Sequence, residues 1–203
     1  MANADTPFGL KPIMNTPFNE IPKNYYYIPS SYATALFIGD PVIKTGTSNT
    51  AAVTSAGRLF NPGSLPEINK ATAGDTNKIT GVIIGFLANP LDLSKNYNPA
   101  STERIAIVAD SPLQEFEIQE ESAGTPLAAT SVGLNANVVF AESGSTATGL
   151  SGVELDTSTP ASDATFQLKI LRLVDAPENA IGQHAKWRVK INNHTEANIV
   201  AGI

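Results

Sequence analysis

The chain contains no cysteine. Disulfides, thiolate metal sites and cysteine nucleophiles are therefore excluded. Histidine occurs only twice, at His184 and His194, too few for a histidine-rich metal centre, and neither HExxH nor EF-hand spacing is present. Charge is also scarce: 16% of the residues are Asp, Glu, Lys or Arg, against about a quarter in an average globular protein. The 13 basic residues are scattered and the net charge is −6, so the basic stripe of a nucleic-acid binder and the polybasic patch of a membrane-surface protein are both missing. The longest apolar stretch, residues 79–87, is too short to span a bilayer and is interrupted by Gly81 and Gly85. Residues 1–7 have neither the positive start nor the apolar core of a secretory leader, so a soluble chain made in the cytoplasm is expected.

In place of charge the chain has Ala, Thr, Ser, Asn, Gly and Pro. Thr suits a pleated surface while Gly, Pro and Asn make turns, so this mixture favours many short strands over long helices. Two-residue alternation at 115–120, 164–174 and 185–191 marks strands with one buried and one wet face, and the apolar runs 35–38, 41–44, 78–86, 104–109 and 138–140 read as further strands. Gly81 and Gly85 predict a bulge or bend within 78–86. Together these features predict an all-β fold, a barrel or sandwich of short antiparallel strands. Residues 45–57, 61–77 and 143–163 are low in complexity and read as loops. A short helix within 123–135 is disfavoured by Gly124, Pro126 and Gly133.

The first thirty-five residues have a different character. Pro7, Pro12, Pro17, Pro22 and Pro29 alternate with Phe8, Leu10, Ile13, Phe18, Ile21 and the triplet Tyr25-Tyr26-Tyr27. Proline at this density forbids a helix, yet the segment is too rich in large apolar side chains for a solvated tail. It predicts an extended arm over residues 1–35 attached to a β core over 36–203. The arm would lie either across its own core or across a neighbouring subunit, and Phe8, Leu10, Phe18, Ile21, Tyr25, Tyr26 and Tyr27 are the candidate partner-binding residues.

A search for catalytic constellations returns little. Glu115 and Glu117 share a strand face opposite Phe116 and Ile118, as on a solvated strand, and with Glu120 and Glu121 they form an acidic run rather than a catalytic pair from separate strands. Gly144 and Gly149 have phosphate-loop spacing, but Leu150-Ser151 stand where Lys-Ser or Lys-Thr is required. No GxSxG elbow is present, and since no leader is expected, the match of Asn193-His194-Thr195 to a glycosylation sequon is expected to be chance. Trp187, at an alternating position, reads as core. The expectation is a non-enzymatic protein with no cofactor and no metal.

Six strings, in order, carry a resemblance: residues 1–10 with Thr6-Pro7-Phe8-Gly9-Leu10, then Gly39-Asp40-Pro41-Val42, Ile79 to Phe86, Phe116-Glu117-Ile118-Gln119-Glu120, Lys169 to Leu173, and Ala185 to His194. In this order the chain resembles the head cement or decoration proteins of tailed bacteriophages, over nearly its whole length outside the loops. The resemblance implies a β-rich fold, the major capsid protein as partner, a location on the outer surface of the virion and self-association, with a trimer favoured over a dimer. It implies no catalytic residue. An acidic surface, repelled by packaged DNA, agrees with an outer location. A major capsid subunit would need a long spine helix, for which no amphipathic pattern exists. A receptor- or carbohydrate-binding appendage is the alternative, and it would call for exposed aromatic side chains beyond the arm.

Overall fold

Period-two hydrophobicity gives each strand one apolar face, and an apolar face is stable only when another strand layer covers it. The computed structural model describes residues 3–13, 20–89, 92–158 and 160–197. Its strands are β1 (Lys11–Pro12), β2 (Asn24–Ile28), β3 (Pro41–Ser48), β4 (Val53–Ser55), β5 (Arg58–Phe60), β6 (Pro66–Lys70), β7 (Gly81–Phe86), β8 (Arg104–Ala109), β9 (Glu115–Gln119), β10 (Asn135–Ala136), β11 (Val138–Val139), β12 (Glu154–Leu155), β13 (Leu168–Leu173) and β14 (Lys186–Ile191). The expected all-β class is observed. The only helical element among the described residues is a 3₁₀ turn at Ala129–Ser131, inside the window where glycine and proline disfavoured a helix.

Two layers carry the fold. Strands β2-β6-β3-β7-β8 close into a barrel, antiparallel except for the parallel β2–β6 contact, and β1-β9-β14-β13-β10 form an antiparallel sheet. The pairs β11–β12 and β4–β5 are small ribbons beside them. Every barrel strand contributes to one apolar cluster through Tyr26, Ile28, Val42, Ile68, Ile83 and Val108, as a small barrel filled by its own side chains requires. A larger cluster joins the layers: Phe116, Ile170 and Trp187 of the sheet pack with Val82 and Ala109 of the barrel and with Leu10. Each of these large side chains contributes about 1.5–3 kcal/mol by leaving water. The alternation is cleanest in β14, where Trp187, Val189 and Ile191 are buried and Lys186, Arg188 and Lys190 are half-exposed.

The glycine-marked bend is present as a register shift between Ile83 and Gly85 in the β7–β8 pairing. At Gly81 the two strands approach so closely that a Cβ would lie 2.5 Å from the Ala109 carbonyl oxygen. In β13 the predicted alternation breaks between Ile170 and Arg172, where the register against β14 shifts.

Three expectations need correction. The division at residue 35 has no counterpart, because the proline-rich segment is built into both layers of its own chain. β1 pairs with β9 through Lys11↔Glu117 and Pro12↔Phe116, and β2 is a barrel strand between β6 and β8. Pro12 sits at the sheet edge, and Pro22 and Pro29 flank β2, so no central ladder bond is lost. The segments 45–57, 61–77 and 143–163 are not simply loops, since they hold the end of β3 together with β4, β6 and β12. Ladder bonds come from the backbone, so Ser- and Thr-rich segments pair wherever a neighbouring strand offers a partner. Residues 35–38, read as a strand, make only the isolated bridges Leu36↔Asn98 and Ile38↔Leu150.

Candidate functional site

The N-terminal segment enters the core at a crossing of two glycines. Gly9 (φ +72°) and Gly39 (φ +95°) touch, and a Cβ on either would come within 2.6 Å of the other segment's backbone. Leu10 N–H donates to the Gly39 carbonyl at 3.0 Å, and Gly39 N–H donates to the Ile83 carbonyl at 2.8 Å. The next residue, Asp40, is fully buried. Its carboxylate accepts from Phe37 N–H at 2.8 Å and Ser151 Oγ at 2.7 Å, and pairs with Lys70 Nζ at 3.0 Å. The Gly39-Asp40-Pro41-Val42 string thus has a structural account: the glycine admits the crossing chain, the aspartate ties three segments together, and the proline opens β3.

Beside this crossing lies an apolar groove of 640 Å³, lined by Phe8, Leu10, Pro12, Ile21, Ile38, Ile84 and Leu150, with Lys11, Glu117 and Lys186 as its charged members. Of the predicted partner-binding residues, Phe8 and Ile21 line it half-buried. Leu10 also faces it but is only 1% exposed, so it belongs to the core. The tyrosines lie elsewhere, on β2 of the barrel. Tyr26 is buried and donates its O–H to Asp110 Oδ2 at 2.7 Å, which removes it from any contact surface. Tyr27 donates to Glu103 Oε2 at 2.6 Å, and Tyr25 packs edge-on against Phe60 beneath the Arg58 guanidinium. Phe18 lies outside the described residues.

A polar cleft of 580 Å³ borders β2, lined by Asn24, Tyr26, Lys44, Arg58, Asp110 and Glu196 among others. Its groups are mutually committed. Asn24 Nδ2 and Tyr26 O–H both donate to Asp110, and Lys44 is ion-paired with Glu196. Burial, reinforced by Asp110, pushes the Tyr26 phenol far above its ordinary value, so it serves as a hydrogen-bond donor and not as a phenolate. His194 is buried nearby, its Nδ1 accepts from Glu196 N–H at 2.9 Å, and burial lowers its pKa.

The acidic run divides at Gln119. Glu115 and Glu117 are half-exposed on the wet face of β9, as alternation predicted, with Arg172 and Arg188 within 4.0 Å of Glu115. Glu120 and Glu121, by contrast, are buried. Trp187 Nε1–H donates to Glu120 Oε2 at 2.7 Å and Leu127 N–H donates to the same oxygen at 3.3 Å, while Oε1 has no partner. Burial outweighs these two donors and pushes the Glu120 carboxyl up to about 7. Glu121 accepts from Thr157 N–H at 3.1 Å and is also raised by burial.

Glu154 on β12, also buried, completes an acidic cluster that sequence reasoning missed. It is pushed up to about 7, first by burial and then by the negative charges of Asp5, Glu121 and Glu142, and its Oε1 has no hydrogen-bond partner. Ligand atoms of Asp5, Glu154 and His184 lie within 4.8 Å of one another. Asp5 Oδ1 is 3.4 Å from His184 Nδ1, and Gln119 Nε2–H reaches both, at 3.3 and 3.2 Å. The Gln119 side-chain carbonyl oxygen accepts from Thr6 N–H at 3.2 Å, which holds the N-terminal segment against this cluster. No signal in the sequence joined these residues, because they come from three distant segments and Glu154 lies in a stretch read as a loop.

The fold defines an all-β protein with a closed barrel packed on an antiparallel sheet. No family model, curated protein or solved structure matches the chain.

Proposed function

We propose that the chain is a non-enzymatic decoration or cement protein, bound to the outer surface of an assembled tailed-phage head across contacts between major capsid subunits. The reading rests on the ordered resemblance of six strings along nearly the whole chain. Those strings meet in space: the first crosses the second at Gly9 and Gly39, and the fourth meets the sixth at Glu120 and Trp187. They are therefore the places where this β framework is held together, which suits a structural family better than a catalytic one. The strongly shifted carboxyls Glu120 and Glu154 are buried and do not line the polar cleft, whose own groups are bound to one another. That arrangement favours a scaffold over an acid–base catalyst.

The grip is assigned to the apolar groove, where half-buried Phe8 and Ile21 offer contact area next to the charged Lys11, Glu117 and Lys186. A copy that engages two capsid subunits, or a homo-oligomer (a trimer before a dimer) that engages several, gains from effective concentration, so modest single contacts become strong together. The appendage alternative has less support, since the strongly exposed large hydrophobics among the described residues are Leu59, Leu93, Leu113, Val132 and Ile181, none aromatic.

The test is cosedimentation of purified protein with heads that lack it, followed by electron cryomicroscopy. Regular decoration of the head, reduced at least tenfold in occupancy by the double substitution Phe8→Ser and Ile21→Ser in a chain that still folds, is expected. Density confined to the tail, or no association with heads, would overturn the reading. Deleting residues 1–30 is not an alternative test, because it removes β1 and all of β2 and so opens the barrel.

A further inference from the structure

We infer that Asp5, Glu154 and His184 form a binding site for one divalent transition-metal ion of the zinc class, which clamps the N-terminal segment to β12 and to the turn before β14. This inference is independent of the proposed role on a phage head.

Two observations carry it. The ligand atoms are already gathered, within 4.8 Å of one another. Two ligands at about 2.0–2.1 Å on a tetrahedral zinc ion stand about 3.4 Å apart, and Asp5 Oδ1 and His184 Nδ1 are separated by 3.4 Å. The second observation is the state of Glu154. It is only 4% exposed, its Oε1 has no hydrogen-bond partner, and the charges acting on it, from Asp5, Glu121 and Glu142, are all negative. A carboxylate so placed is costly unless a cation or a proton joins it. A zinc ion on His184 Nδ1 would take the single lone pair of that nitrogen, in place of the Gln119 Nε2 contact at 3.2 Å.

The donor set selects the ion. One imidazole nitrogen and two carboxylate oxygens suit zinc and its first-row neighbours, whereas calcium and magnesium prefer oxygen alone and a copper(I) site would call for sulfur. Asp5 is exposed, so water has access to the remaining position of the shell. The rival occupant is a proton shared between His184 and Asp5, which would give an ordinary ion pair.

The test uses the full chain, stripped with EDTA, dialysed free of the chelator and titrated with zinc chloride in a calorimeter. Cobalt(II) chloride serves as a second probe, because a four-coordinate cobalt site has intense visible absorption. One zinc per chain is expected, with a melting temperature raised by several degrees and no response to magnesium. Asp5→Asn, at an exposed position, and His184→Asn, chosen because Asn tolerates the left-handed backbone of His184 (φ +62°), should each weaken zinc binding at least tenfold and abolish the cobalt spectrum. Two results would overturn the inference: no saturable zinc uptake at micromolar concentration, or affinity unchanged in both variants.

Discussion

The buried Glu120–Trp187 pair makes stability depend on pH in a direction opposite to that of most paired carboxylates. Glu120 is raised from an ordinary 4.5 to about 7, chiefly by burial. The folded state therefore keeps a proton that the unfolded state has lost, and between about pH 4.5 and 7 folding binds protons. Stability must fall as pH rises through that window and level off above it. At about 1.4 kcal/mol per pH unit, Glu120 alone contributes a fall on the order of 3 kcal/mol. Glu154 is raised to a similar value and acts with the same sign. Glu120→Gln keeps a carbonyl oxygen for the Trp187 and Leu127 donors and removes the titration. The variant should be about 1–3 kcal/mol more stable than the parent at pH 8, after the cost of burying an unpaired amide N–H, and equal or slightly less stable at pH 5. Urea unfolding followed by the emission of Trp187, the only tryptophan and fully buried, measures this directly. With a slope of about 2 kcal/mol per molar urea, the difference at pH 8 is roughly 1 M in midpoint. EDTA in every sample keeps bound cations from masking Glu154. A midpoint difference between variant and parent that is the same at pH 5 and pH 8 would refute the assignment.

Further outcomes follow from the crossing and the barrel. Asp40→Ala leaves Lys70, Ser151 Oγ and Phe37 N–H without their shared acceptor, and should cost about 3–5 kcal/mol in the same urea assay. Gly39→Ala forces a Cβ to 2.5 Å from the Phe8 carbonyl oxygen at positive φ, and should destabilise by more than about 1–2 kcal/mol. Leu59→Ser, at a strongly exposed site on β5, should change the stability by less than about 0.5 kcal/mol and serves as the control. Trp187→Phe removes a donor from buried Glu120, and should shift the pH-dependent fall in stability toward higher pH, measured by circular dichroism because the fluorophore is lost.

What the sequence by itself determined is the local grammar. The strands at Glu115–Gln119 and Lys186–Ile191 were legible because a two-residue period needs no knowledge of the partner strand, and Gly81 and Gly85 marked the irregular β7 because glycine weakens a regular ladder wherever it stands. The wet face of Glu115 and Glu117 followed from the same period. Tertiary structure decided the rest. Proline spacing made residues 1–35 look like a separate arm, yet their backbone donors and acceptors found partners in β9, β6 and β8, so the segment became part of the barrel and the sheet. The burial of Glu120 depended on an indole N–H from β14 and an amide from residue 127, neither of which its neighbours in sequence could announce. Asp5, Glu154 and His184 lie far apart along the chain and share no spacing rule. Only strand pairing and layer packing, which act between segments distant in sequence, brought their ligand atoms into one cluster.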